Sequence, residues 1–205
     1  MSSNSTIVQI NLTEIINSLG ESRAKEILSS FLCPLNKDVE SFIKYKAIEF
    51  SKRDFAKTHL IFWKSSDGSE IELIGYYAIA PKTFTISKES VSNNIYKKIC
   101  QYGKYDSTIK RPVIPAILIG QLGKNYANGN DTLISGDELL TLALEKVQSI
   151  QRDLGGRYTY LECEDEPKLI SFYERNGFIQ FGRRELDADE TQLNGKYLIQ
   201  LLKKI

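Results

Sequence analysis

The stretch from residue 115 to 147 constrains this chain more than any other. An apolar segment, 116–122, ends in Gly123, a polar loop follows over 124–135, and a helical pattern begins at Gly136-Asp137. A buried strand, a polar loop and a helix N-terminus in that order turn backbone N–H groups toward an anion. The stretch therefore reads as a seat for a phosphorylated cofactor, and the other elements are read around it.

Residues 11–32 form a helical N-terminal segment, a hairpin or one interrupted helix. Leu12, Ile15, Ile16 and Leu19 fall at helical spacing, Asn11 or Thr13 opens the pattern, and Gly20 breaks it. Ala24, Ile27, Leu28 and Phe31 continue one face until Pro34 stops it. Asn36 or Asp38 then opens a helix with Val39, Phe42, Ile43, Ala47 and Phe50 as its stripe. Strands over 58–64 and 70–80 flank the turn Ser65-Ser66-Asp67-Gly68, and 84–86 extends the second. Val91, Ile95 and Ile99 predict a short helix, and 104–111 reads as an exposed polar loop; together they form an insertion around 87–111. A helix over 137–154 buries Leu139, Leu140, Ala143, Leu144, Val147 and Ile150. A strand follows over 157–163. Pro167 starts a short helix that Gly177 closes. A strand over 178–183, a loop over 187–194 and a strand over 197–202, antiparallel to the one before, complete the chain. This order gives an α+β fold, a mixed α/β layer with helices on both faces of a sheet. Residues 1–205 read as a single domain.

Composition narrows the function. The 205 residues carry a formal net charge of +1, without the basic excess of a dedicated nucleic-acid binder. Lys97-Lys98 with Lys104, Lys110 and Arg111 make only a modest cluster. No run of about 18 apolar residues marks a membrane span. The Ser-rich start lacks the order of a signal peptide, so the expectation is a cytoplasmic protein. Cys33, Cys100 and Cys163 are odd in number and scattered, as reduced thiols are. With His59 the sole histidine, no metal site is expected. His59 itself reads as a structural surface or edge residue on its strand, and Cys163 as a small core residue. Trp63, Tyr76, Tyr77, Phe172 and Phe178 read as core or as the lining of a pocket.

Several of these residues resemble the GCN5-related N-acetyltransferases, the GNAT family, over roughly 31–205. The strongest parts are the strand-loop-helix of 118–140 and the run Leu169-Ile170-Ser171-Phe172-Tyr173-Glu174-Arg175-Asn176-Gly177-Phe178, similar to the family's A-x-x-x-Y-x-x-x-G-F signature. Gly75-Tyr76-Tyr77-Ala78-Ile79-Ala80, Gly120-Gln121-Leu122-Gly123 and the run at 31–47 resemble the subgroup of GNAT toxins from toxin–antitoxin pairs. The resemblance implies the GNAT acyl-CoA N-acyltransferase fold, with a central mixed, mostly antiparallel sheet. It implies an N-acetyltransferase that moves the acetyl group of acetyl-CoA, its co-substrate, to a primary amine by direct attack in a ternary complex. The acceptor is a small-molecule or macromolecular amine, and family habit implies a homodimer. Two alternatives follow: a toxin that acetylates aminoacyl-tRNA and pairs with an antitoxin, and a non-catalytic CoA-binding or regulatory scaffold.

Site residues follow from the same resemblance. Leu122, Gly123 and Lys124 hold the pantetheine arm and polarise the acetyl carbonyl, in a gap where two parallel strands splay apart. The N–H groups of Leu133, Ile134, Ser135, Gly136 and Asp137, with Thr132 beside them, take the pyrophosphate. Phe172 contacts the cofactor, and Tyr173 donates a proton to the departing thiolate. Glu162 is the candidate general base, with Glu164, Asp165 and Glu166 as alternatives. The chain departs from the family's Q/R-x-x-G-x-G/A loop: of residues 131–136, only Gly136 matches, Asp131 replaces Gln or Arg, and the preceding loop is longer. Glu166 stands where many members have Asn.

Overall fold

The computed structural model describes residues 5–188, 190, 192–193 and 195–205. Part of the expected 187–194 loop and the first four residues of the Ser-rich start lie outside the described residues. The chain divides into two compact units, Met1–Ile79 with Gly120–Ala143, and Ala80–Ile119 with Leu144–Ile205.

The first unit opens with strand β1 (Thr6–Asn11). This strand is absent from the sequence reading, because Ile7, Val8 and Ile10 do not alternate; the antiparallel ladder to β2 (Lys57–Lys64) makes it a strand. Helix α1 (Leu12–Leu19) is capped by Asn11, whose side chain accepts the Thr13 N–H at 2.9 Å. Gly20, at φ 82°, separates it from α2 (Glu21–Ser29). Asn36 then caps α3 (Lys37–Ser41) through the Val39 N–H at 3.1 Å. A π-helical turn, Phe42–Lys46, leads into α4 (Ala47–Lys52). Its wider turn rotates the stripe, so that Ala47, Ile48 and Ser51 continue the buried face of Val39, Phe42 and Ile43. These helices pack Leu12, Leu28, Phe31 and Ile43 with Leu60, Leu73 and Tyr76 of the strands into one core.

β2 also pairs antiparallel with β3 (Ile71–Thr85), so it lies between two strands. His59 is consequently neither a surface nor an edge residue: it is 6% exposed and stacked on Tyr77, ring centroids 5.0 Å apart. In this unit the strand order is β1-β2-β3, followed by the last residues of β5 (Arg111–Lys124).

The second unit contains α5 (Asn93–Cys100), capped by Ser92, and β4 (Lys104–Asp106). The exposed loop expected over 104–111 is corrected here: β4 pairs antiparallel with β5, Tyr105 opposite Pro112. β5 itself starts at Arg111, well before the expected 116. Pro112 and Pro115 hide this from a propensity reading, yet a proline is tolerated where its missing N–H faces away from a ladder. Helix α6 (Gly136–Leu154) runs on from the first unit and leads to β6 (Tyr158–Cys163), α7 (Pro167–Arg175), β7 (Ile179–Glu185) and β8 (Tyr197–Lys204). β8 pairs antiparallel with β7 and also with β6, giving the order β5-β6-β8-β7. Phe84, Ile86, Ile99, Ile114, Tyr158, Tyr160, Phe181 and Leu202 form this unit's core.

One pairing is parallel. β5 meets β6 at Ile117↔Thr159 and Leu118↔Tyr160, and the buried Thr159 hydroxyl donates to the Ile117 carbonyl at 2.8 Å. Both of these pairs lie within the second unit, and β5 runs on to Lys124 in the first. The other ladders described above are antiparallel, so the sheet is mixed and mostly antiparallel.

Candidate active site

The sequence-predicted residues fall into two groups, one in each unit. In the first unit, β5 ends at Gln121-Leu122-Gly123-Lys124. Gly123 is buried, and a Cβ there would come within 2.3 Å of Val39 Cγ1, so only glycine lets α3 approach the strand this closely. A Cβ on Gly75 would meet the Gly123 carbonyl at 3.1 Å. Leu122 and Lys124 are half-buried. The Lys124 ammonium donates to the Asp131 carbonyl at 2.8 Å, which folds the following loop back on the strand end.

That loop contains a 3₁₀ turn, Ala127–Thr132, with Asn128 and Gly129 at positive φ. The Thr132 hydroxyl donates to the Gly129 carbonyl at 2.9 Å, and the Leu133 N–H to the Asn130 carbonyl at 3.0 Å. Ile134 is buried. Ser135 and Glu138 form a reciprocal cap on α6: the Ser135 hydroxyl accepts the Glu138 N–H at 3.1 Å, and the Glu138 carboxylate accepts the Ser135 N–H at 2.8 Å. The two bonds from Ser135 hold the Glu138 carboxyl below its usual range. A carboxylate of the chain's own therefore rests where the resemblance places a phosphate. Gly136 and Asp137 form the first turn above it, and the Asp137 carbonyl accepts the Thr141 hydroxyl.

Two asparagines that the sequence reading passed over anchor this loop. Asn125 is 1% exposed; its Oδ1 accepts the N–H groups of Leu32 and Ala127 at 2.9 and 3.1 Å, and its Nδ2 donates to the Leu73 carbonyl at 2.7 Å. Asn130, also buried, donates to Glu72 Oε2 at 3.0 Å. Their one visible signal is polarity directly after an apolar strand, which a loop shares.

In the second unit, Tyr173 on α7 is buried, edge-on to Phe172 (4.9 Å between centroids) and Phe178 (5.8 Å). Burial, with a smaller contribution from the Cys163 thiol, raises its pKa well above the usual phenol value. Among the described residues its hydroxyl has no hydrogen-bond partner. Phe172 is half-buried, with the Arg175 guanidinium 4.8 Å from its ring centroid. Cys163 is a buried free thiol, pushed up to about 12 by burial and then by Asp165 and Glu164.

Glu162 lies on β6, and both its oxygens are engaged. Oε2 accepts from Arg184 Nε at 2.7 Å and Oε1 from Gln200 Nε2 at 2.8 Å. Arg184 also forks onto the Glu190 carboxylate at 2.7 and 2.8 Å, and these ion pairs raise its pKa further. Asp165 accepts from the Tyr197 hydroxyl at 2.8 Å. Among the described residues, no group of three or more His, Cys, Asp or Glu side chains could hold a metal ion, and no helix is long and apolar enough to cross a membrane.

No protein-family model matches the sequence, and no curated protein does. Solved structures do. A bacterial toxin aligns at TM-score 0.61 and 18% identity, over 98% of this chain and 91% of its own. AtaT complexed with acetyl-methionyl-tRNAfMet aligns at TM-score 0.58 and 17% identity, over 95% and 94%. A Tyr-to-Phe mutant of KacT aligns at TM-score 0.59 and 16% identity, over 95% and 93%. The fold is the GNAT fold. These alignments span nearly the whole chain, the helical N-terminal segment included, and at such identity they speak for the fold.

Proposed function

We propose that the chain is an acetyltransferase that moves the acetyl group of acetyl-CoA onto a primary amine by direct attack. The observation that carries this reading is the parallel pairing of β5 with β6 at Ile117↔Thr159 and Leu118↔Tyr160, with β5 ending at Leu122, Gly123 and Lys124. On a GNAT fold that arrangement leaves main-chain groups at the strand end for the pantetheine arm and the acetyl carbonyl. The amine nitrogen attacks the thioester carbon, the C–N bond forms and the C–S bond breaks. Tyr173 passes its phenolic proton to the sulfur and regains one from solvent, while the nitrogen releases its extra proton to water. Glu162, with both oxygens held by Arg184 and Gln200, is better suited to fixing Arg184 than to taking that proton. A toxin acting on aminoacyl-tRNA is the second reading, favoured by the neighbour AtaT, which was solved with acetyl-methionyl-tRNAfMet and, as a Tyr-to-Phe mutant, with acetyl-CoA.

Calorimetric titration with acetyl-CoA tests the proposal. Micromolar binding that is lost in Gly136→Glu is the expected result. No binding up to millimolar concentration would leave the non-catalytic scaffold in its place. The cap on α6 supplies a finer test. If the pyrophosphate displaces the Glu138 carboxylate from the Ser135 N–H, Glu138→Gln should bind acetyl-CoA about two- to fivefold more tightly at low salt, the gain expected from removing one opposing charge at a helix N-terminus. The gain should shrink as salt rises. Equal or weaker binding would show that the phosphates do not meet this turn.

A further inference from the structure

The acetyltransferase reading needs a group that receives the acceptor's nitrogen, and the first unit contains one outside the predicted site. Gln121, directly before Leu122 and Gly123, donates through Nε2 to Asp38 Oδ2 at 2.8 Å. Its Oε1 lies 3.4 Å from the fully buried Tyr76 hydroxyl, which donates to the Val39 carbonyl at 2.6 Å. The bond to Asp38 sets the orientation of the Gln121 amide, because the single Tyr76 proton is given to Val39. Val39, the neighbour of Asp38, lies against Gly123 closely enough to exclude a Cβ. Two adjacent residues of α3 thus cover the two ends of the Gln121–Gly123 segment, the backbone to which the acetyl carbonyl is assigned.

Asp38 differs from the other carboxylate on this turn. Glu40 is tied to Lys44 at 2.9 Å and to the Cys33 N–H at 2.9 Å, with Lys37 at 3.5 Å. The half-buried Asp38 carboxylate has one partner among the described residues, the neutral Gln121, so its charge is uncompensated by a cation and Oδ1 is available. An uncompensated carboxylate held in place beside the acetyl-carrying strand end suits an alkylammonium or amine.

We infer that Asp38, oriented by Gln121, is the subsite that binds the amine nitrogen of the acceptor: it takes the nitrogen as an ammonium on arrival, that ion gives one proton to water before the neutral nitrogen attacks, and Asp38 thereby selects primary amines that arrive cationic. This rests on the acetyltransferase reading. The test uses glycinamide, a small α-amino amide, as acceptor for wild type, Asp38→Asn and Asp38→Glu, with acetyl-CoA affinity measured first by calorimetry on each. Expected are equal acetyl-CoA affinities and a KM for glycinamide raised about tenfold or more in Asp38→Asn, as for a lost charge-assisted bond. kcat should change by less than about threefold, and Asp38→Glu should restore most of the KM. An unchanged KM in Asp38→Asn, or a loss confined to kcat, overturns the assignment. Failure of the acetyltransferase reading is seen separately, as absent acetyl-CoA binding in wild type. If glycinamide is not turned over, its titration followed by backbone amide NMR shifts decides. Shifts at 38 and 121 that vanish in Asp38→Asn uphold the subsite, and none at these positions in wild type rejects it.

Discussion

Tyr173→Phe is expected to slow acetyl transfer at least tenfold while leaving acetyl-CoA affinity and the melting temperature unchanged. Tenfold corresponds to about 1.4 kcal/mol of lost transition-state stabilisation, a modest demand on a positioned general acid. The stability part of the expectation comes from the packing. The Tyr173 ring is held by Phe172 and Phe178, which phenylalanine would still meet, and its hydroxyl has no partner among the described residues whose loss would strand a donor. The raised pKa fixes the protonation state: burial favours the neutral phenol, so the proton is present throughout the range below pH about 10. Any alkaline loss of activity within that range must therefore belong to another group. A phenol so disfavoured as an anion is a weak acid, and a free thiolate in water would be a poor match for it. Burial disfavours charge on a sulfur as it does on a phenol oxygen, since both lose the solvation of water. A departing thiolate placed in such an environment would take the proton readily. Unchanged turnover in Tyr173→Phe would remove this residue from the mechanism and reduce it to packing.

Much of the fold was legible because its elements are long and punctuated. Asn11, Gly20 and Asn36 mark helix ends by mechanisms that act locally, and the structure uses all three. The Pro167 start and the α6 stripe are legible for the same reason. β1 and β4 were not, because neither is specified by its own residues: each is a strand through a ladder to a partner distant in sequence or masked by prolines. His59 was misread as exposed because a strand's burial on both edges depends on β1, which the sequence did not announce. The candidate site divides in the same way. Tyr173 and the strand-loop-helix stand out as motifs. The pairing of Gln121 with Asp38, 83 positions away, and of Glu162 with Arg184 has no local signature. A polar residue's partner is set by the tertiary fold, so sequence proposes Glu162 as a base, while the structure surrounds it with donors.

Asn125→Leu is expected to be the most destabilising single change around the cofactor-assigned loop, by about 3–5 kcal/mol, the sum of a few buried groups left unsatisfied at ~1–3 kcal/mol each. Leucine has the same branching but is bulkier, so crowding adds to the loss of the polar partners. Asn125 completes three backbone groups from three segments: the Leu32 N–H after α2, the Ala127 N–H of the loop and the Leu73 carbonyl of β3. Its own N–H donates to the Ile74 carbonyl at 2.9 Å, and the next N–H, of Tyr126, to the Leu32 carbonyl at 2.8 Å. Leucine retains those two main-chain bonds and removes the other three, without water to replace them at a position 1% exposed. Asparagine alone carries both an acceptor that can serve two N–H groups and a donor for a carbonyl at this length; aspartate would lack the donor, and its charge would be buried. Chemical denaturation measures the loss, and calorimetry at a temperature where the variant remains folded measures whether acetyl-CoA binding weakens with it. Loss of affinity in the folded variant would show that this asparagine sets the position of the loop that follows β5. A variant within about 1 kcal/mol of wild type would mean that the three groups find other partners, and that the loop is held chiefly by Lys124 and Asn130.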